Sequence, residues 1–324
     1  MIINSVTEIT SSPIFLNLKN FIKDTRVFLK LEGLNIAHSV KLKTARYLLR
    51  AVENQIIPGK TKIIESSSGN LAIALSIICK ELGVEFICVT DPNIAEYSEE
   101  LIKVYGGKII KVTERDEHGG FLNTRIRTIY KLLDSSKDYI WTNQYANHAN
   151  YLAHYSETAA EIYSEFKALD YLFIGAGTTG TLVGCGKFFK EYSPNTKIIA
   201  VDAEGSVTFG YPAKKRHIPG IGTSRKPEIA NESYIDDILL VSEIDTIRTC
   251  HKVLKERGLF IGGSTGSVLA AIIQYSNRIK PHSSIVAISP DFGDKYIPTV
   301  YNDNWVIERF GNIFENIGGI NGAQ

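Results

Sequence analysis

From residue 26 almost to the end of this 324-residue chain, short apolar runs alternate with longer amphipathic stretches, and that alternation limits the fold more than any single motif. The apolar runs read as strands over 26–32, 62–65, 85–90, 108–112, 139–142, 171–175, 197–202, 237–241 and 284–289. Between them, helical periodicity marks 40–54, 70–82, 97–105, 120–133, 151–166, 180–192, 243–257 and 265–280. Strands separated by helices pair in parallel, because a parallel crossover needs a dozen or more residues. The expectation is an α/β fold of two lobes, each a mostly parallel twisted sheet flanked by helices. A polar run, TNQYANHAN, interrupts the pattern and places a boundary near residues 143–150. Ligands of such folds bind where the strands end.

Three polar, glycine-containing turns stand where a strand gives way to a helix. They are Glu65-Ser66-Ser67-Ser68-Gly69-Asn70, Gly175-Ala176-Gly177-Thr178-Thr179-Gly180-Thr181, and Gly262-Gly263-Ser264-Thr265-Gly266-Ser267. The first N–H groups of a helix lack internal partners and favour an anion, and hydroxyls add donors. One such turn is often only a cap. Three in one chain favour an anionic small-molecule ligand. The second turn has two possible tenants. GAGTTG, with Asp202 ending the following strand, fits a dinucleotide fingerprint and would make a nicotinamide dehydrogenase. That reading leaves the other two turns without a role, and the threonines suit a single phosphate with several free oxygens.

The remaining composition narrows the classes. A formal net charge of +1 gives no reason to expect a nucleic-acid partner or an anionic membrane surface, and no apolar run is long enough to span a bilayer. Residues 1–10 lack a basic and apolar leader, so a cytoplasmic protein is expected. Cys79, Cys88, Cys185 and Cys250 are too widely spaced for redox or zinc motifs and read as small buried hydrophobes. The histidines form no HExxH pattern, and no metal site is expected. The stretch 205–227 is long and rich in Gly, Pro and basic residues, including Arg216 and Arg225, which marks it as functional or disordered.

Taken in order, a lysine after Ser39-Val40, the ESSSGN turn, the GAGTTGT turn and the late Ser264 resemble the fold-type II pyridoxal-phosphate enzymes of the cysteine synthase superfamily. The resemblance spans nearly the whole chain. It implies a smaller lobe of residues 35–145 and a larger lobe of 1–34 plus 146–324, usually assembled as a homodimer. By resemblance Lys41 bonds the cofactor and acts as the catalytic base, and Asn70 meets its 3-hydroxyl group. Gly177, Thr178, Thr179, Gly180 and Thr181 cup its phosphate, and Ser264 faces the pyridine nitrogen. Ser66, Ser67, Ser68 and Gly69 match the loop that grips the substrate carboxylate, and Gln144 matches a substrate-loop glutamine.

Within the superfamily the chain is similar to the N-(2-amino-2-carboxyethyl)-L-glutamate synthases of 2,3-diaminopropionate and siderophore biosynthesis. The shared stretches include His118-Gly119-Gly120, Asn143-Gln144-Tyr145-Ala146-Asn147, Pro219-Gly220-Ile221-Gly222 and Pro290-Asp291. Arg125 and Tyr155 fall where those enzymes carry an arginine and a tyrosine near the site. The resemblance implies β-replacement on O-phospho-L-serine through an aminoacrylate, with L-glutamate as the amine nucleophile. Cysteine synthesis is the alternative within the superfamily, and a catalytically silent homologue the alternative outside enzymes. The chain departs from the family pattern beside its lysine. Leu42 and Lys43 replace Asp-Arg, and Ile36, Ala37 and His38 replace Pro-Gly-Gly. Loss of the acid makes the local field more positive and disfavours a protonated Lys41. Leu71, where cysteine synthases carry threonine, argues against plain cysteine synthesis.

Overall fold

A computed structural model describes residues 2–9, 13–117 and 119–314; His118 lies outside the described residues. Among the described residues ten strands form two sheets. They are β1 (Phe15–Asn17), β2 (Arg26–Leu31), β3 (Lys62–Ser66), β4 (Glu85–Thr90), β5 (Lys108–Lys111), β6 (Tyr139–Trp141), β7 (Tyr171–Gly175), β8 (Lys197–Ala203), β9 (Asp237–Val241) and β10 (Ser284–Ser289). One sheet has the order β1-β2-β10-β7-β8-β9 and the other β5-β4-β3-β6. Every pairing is parallel except β1 with β2.

The helices are α1 (Lys41–Arg50), α2 (Asn70–Glu81), α3 (Glu96–Val104), α4 (Leu122–Ser135), α5 (Ala149–Ala153), α6 (Ala160–Glu165), α7 (Gly180–Tyr192), α8 (Glu243–Arg257), α9 (Gly263–Tyr275) and α10 (Asp303–Phe310). Parallel strands bury both faces, and here each sheet carries two apolar clusters. α8 and α9 pack into the core shared with Phe173 and Ile285, while α7 lies over Leu172 and Val286 on the opposite face. All four cysteines are free and buried, as their spacing implied.

The strands read from the sequence lie where expected, within a residue or so at their ends. β1 escaped because three residues carry no periodicity; its register, Phe15 opposite Lys30, makes it an antiparallel edge. The expected helix 151–166 is α5 and α6 joined through a π-helical turn, His154–Ala159. No helix among the described residues is long and apolar enough to cross a membrane. The segment 205–227 is ordered, and its inner part, from Pro219 to Thr223, closes the cavity described next.

Candidate active site

The C-terminal ends of β3, β7 and β10 open onto one cavity of about 220 Å³ between the two sheets. After β7 the chain turns through Gly175–Thr179 into α7. Thr179 caps that helix with φ 64°, a left-handed conformation uncommon outside glycine. It is 2% exposed, and its hydroxyl oxygen has no partner among the described residues. A buried donor left unpaired at a helix start is what a bound anion would satisfy. Close packing holds the turn in place. A Cβ on Gly180 would collide with Asn150 Oδ1, and one on Gly177 would lie 3.0 Å from Gly220 O. Asn150 Nδ2 in turn donates to Thr178 Oγ1 at 3.1 Å and to Gln144 O at 2.7 Å.

Lys41 opens α1 and reaches the same place. Its Nζ lies 3.3 Å from Thr178 Oγ1. Burial lowers its pKa to about 8, against the opposing pull of Glu65. The direction agrees with the sequence argument but the cause differs: desolvation, not the missing aspartate, releases the proton. Leu42 is fully buried in the core beside the four-stranded sheet, and Lys43 points away from the cavity. The Lys43 ammonium meets Glu32 at 3.2 Å and Glu161 at 2.8 Å, and the buried Lys30 binds the same two carboxylates at 2.6 Å each. The lysine helix is therefore anchored by a charge network of Lys30, Glu32, Lys43 and Glu161.

The ESSSGN turn divides. Ser67, Ser68 and Gly69 line the cavity, whereas Ser66 belongs to β3, is buried behind the wall, and offers its carbonyl to Gln144 Nε2 at 2.9 Å. Glu65 is fully buried and accepts from Thr142 Oγ1 at 2.6 Å, Trp141 Nε1 at 3.2 Å, and the N–H groups of Ser66 and Gln144. These bonds tie the turn to Gln144, which also lines the cavity. Asn70 opens α2. Ser264 sits in the first turn of α9, 3% exposed, so close to Gly220 that a Cβ there would collide with its hydroxyl. Arg125, on α4, reaches the rim 3.5 Å from Asp91, with its Nε buried and without a partner among the described residues.

Two expected residues are not brought in. Besides Ser66, Tyr155 faces away: its hydroxyl meets Glu191 Oε2 at 2.5 Å and its ring packs on Phe188. Helical spacing is the reason: Asn150, which bonds Thr178, shares its face with His154 four residues on, and Tyr155 lies about 100° further round. His154 lies buried behind the cup, its Nε2 3.0 Å from Thr44 Oγ1 and 3.3 Å from Thr181 Oγ1. Burial, and after it the charge of Lys41, lowers its pKa to about 3, which keeps it neutral. Asp202, the acid a dinucleotide would need, is fully buried, bonds the N–H of Ala203, and is not part of the cavity wall. Arg225 pairs with Glu228 on the surface. Residues the sequence left without a role do line the cavity, Asp291 and Lys295 among them.

With an unpartnered threonine hydroxyl at a helix start, a lysine of lowered pKa and a buried serine hydroxyl around one cavity, the chain belongs to the pyridoxal-phosphate dependent enzyme family, whose profile matches residues 7–291. Its cofactor is pyridoxal 5'-phosphate. An O-ureido-L-serine synthase shares 25% identity, with a TM-score of 0.85 over 99% of this chain and 98% of that one. An O-acetylserine dependent cystathionine β-synthase from Helicobacter pylori shares 26%, with a TM-score of 0.85 over 93% and 100%. A hydrogen sulfide-producing enzyme from Fusobacterium nucleatum shares 29%, with a TM-score of 0.84 over 91% and 98%.

Proposed function

We propose that the protein replaces the Cβ substituent of an O-substituted L-serine, taking O-phospho-L-serine and L-glutamate to N-(2-amino-2-carboxyethyl)-L-glutamate and phosphate. The cofactor, when bound, supplies the electron sink that acidifies the substrate Cα–H. Gly177 to Thr181 hold its phosphate, Asn70 faces its ring hydroxyl, and Ser264 faces its ring nitrogen. A neutral serine there leaves the sink shallow, which suits β-elimination. Lys41 Nζ, deprotonated near pH 8 by burial, takes the Cα proton. Ser67, Ser68 and Gly69 bind the substrate carboxylate, with Gln144 bracing their turn.

The observation that carries the choice of anionic substrates is Arg125, a buried guanidinium 3.5 Å from Asp91 whose Nε has no partner among the described residues, at the rim of a cavity that already has one anion cup. Its fork matches a carboxylate or phosphate. Leu71, 2% exposed and on the cavity wall, offers no hydroxyl where a sulfur-using enzyme carries one. The neighbours named for O-ureidoserine and cystathionine synthesis support β-replacement as the class. Incubation with O-phospho-L-serine and either L-glutamate or sulfide, followed by mass spectrometry, tests the reading. The glutamate adduct is expected; product with sulfide alone overturns it in favour of cysteine synthesis. The same reading makes the enzyme a cytoplasmic homodimer, checked by light scattering of the full chain.

A further inference from the structure

Just past β10, beyond the stretch the family profile matches, a short turn brings a second lysine into the cavity. Lys295 Nζ lies 2.5 Å from Asp291 Oδ2 and 2.8 Å from Asn70 Oδ1. Asn70 Nδ2 donates to the same Asp291 oxygen at 2.8 Å. The three side chains close a ring of charge-assisted hydrogen bonds from α2, beside the four-stranded sheet, to the end of β10 in the six-stranded one. Asp291 is 3% exposed, so its charge requires this pairing. Its backbone is fixed on two sides, by the bridge to Ser39 and by the N–H of Gly262 at 3.3 Å. Gly262 also leaves room for the other carboxylate oxygen, which a Cβ would strike.

A carboxamide is nearly symmetric in shape but not in charge. Turned over, Asn70 would set oxygen against carboxylate and NH₂ against ammonium, and both ends would be repelled. One orientation is therefore held, with one N–H of Nδ2 left without a partner among the described residues. The ammonium on Oδ1 polarises the amide and strengthens that N–H as a donor.

Resting on the reading that Asn70 faces the cofactor's ring oxygen, we propose that Asp291 and Lys295 are positioning residues that hold Asn70 as a donor to that oxygen, and that the charge of Lys295 favours its ionised form. Lys295 supplies the positive charge, and Asp291 orients both partners. Without Lys295, a buried carboxylate with one remaining partner stands next to the ring oxygen and opposes its ionisation. Without the Asp291 charge, the ammonium acts alone and favours it.

The test uses the full chain loaded with pyridoxal phosphate, comparing Lys295→Met, Lys295→Arg and Asp291→Asn with the parent. The readouts are cofactor dissociation constant, the ratio of the visible to the near-ultraviolet cofactor band at neutral pH, and thermal melting of the unloaded proteins. Lys295→Met is expected to weaken cofactor binding by about tenfold and to move absorbance out of the visible band. Lys295→Arg restores both, and Asp291→Asn moves the ratio the opposite way. A folded Lys295→Met with the parent's band ratio and affinity overturns the proposal, as does an arginine variant that fails to rescue. If Lys295→Met does not fold, a parental band ratio in Asp291→Asn overturns it equally. A parent protein that takes up no pyridoxal phosphate would instead sink the underlying assignment, and that result is read from the parent alone.

Discussion

The cup-shaped turn of residues 175–181 and the start of the lysine helix meet at Thr178 and Lys41, yet they are built in different ways. The cup is made by the backbone. Gly177 and Gly180 are glycines because neighbouring atoms leave no space for a Cβ, and the donors are the ends of a helix. The lysine helix is held by side chains from three elements: Lys30 and Glu32 at β2, Lys43 on α1, and Glu161 on α6. A backbone device tolerates little change in sequence. A network of long charged side chains can be rewired while the element it holds stays in place, which accounts for a family motif altered beside an intact lysine.

The sharpest way to break this comparison is Leu42→Asp, which restores the family residue. If the segment has been rebuilt around Leu42, a carboxylate in that apolar core costs about 3–4 kcal/mol in urea unfolding. A neutral or stabilising outcome would mean the family arrangement still fits. Acid titration comes next. Burial alone would raise the Glu32 pKa, but Lys43 and Lys30 overcome it and lower the carboxylate from 4.5 to about 2. A depressed acid stabilises the fold above its unfolded pKa, and that stabilisation disappears as pH falls from about 4.5 to about 2. On the order of 3 kcal/mol is at stake, read as a fall in melting temperature over that window that Glu32→Gln flattens.

On the cup side, Gly180→Ala is expected to cost about 1–3 kcal/mol and to weaken pyridoxal phosphate binding, because the methyl strikes Asn150. Gly69→Ala is the control, with open space around its Cα and a stability change of about 0.5 kcal/mol or less. Smallest of all is Tyr155→Phe. Its hydroxyl meets Glu191 outside the cavity, so KM for either substrate should change by less than about twofold.

The same contrast explains what could be read from the sequence. Parallel strands buried on both faces are continuous apolar runs, so the sheets were legible, whereas the three-residue β1 was not. That the three strand-to-helix turns of Asn70, residues 177–181 and Ser264 meet at one cavity was legible, because helix starts after strands carry their own glycine and hydroxyl signature. Tyr155 was misplaced because only a resemblance put it near the site, whereas the spacing from Asn150 gives that face to His154, and Ser66 because the strand runs one residue further than its apolar core. Lys295 was invisible for a different reason. A lysine in a polar turn ordinarily faces solvent, and only the fold brings it to Asn70 and Asp291.

Two lysines therefore line one cavity, and which of them bonds the cofactor tests the account most directly. Among the described residues Lys41 has no ion pair within 4 Å, and its pKa is about 8, whereas Lys295 is held against Asp291. Borohydride reduction of the cofactor-loaded protein, proteolysis and mass spectrometry should find the pyridoxyl phosphate adduct on Lys41 alone. An adduct on Lys295, or none on either lysine, would contradict it.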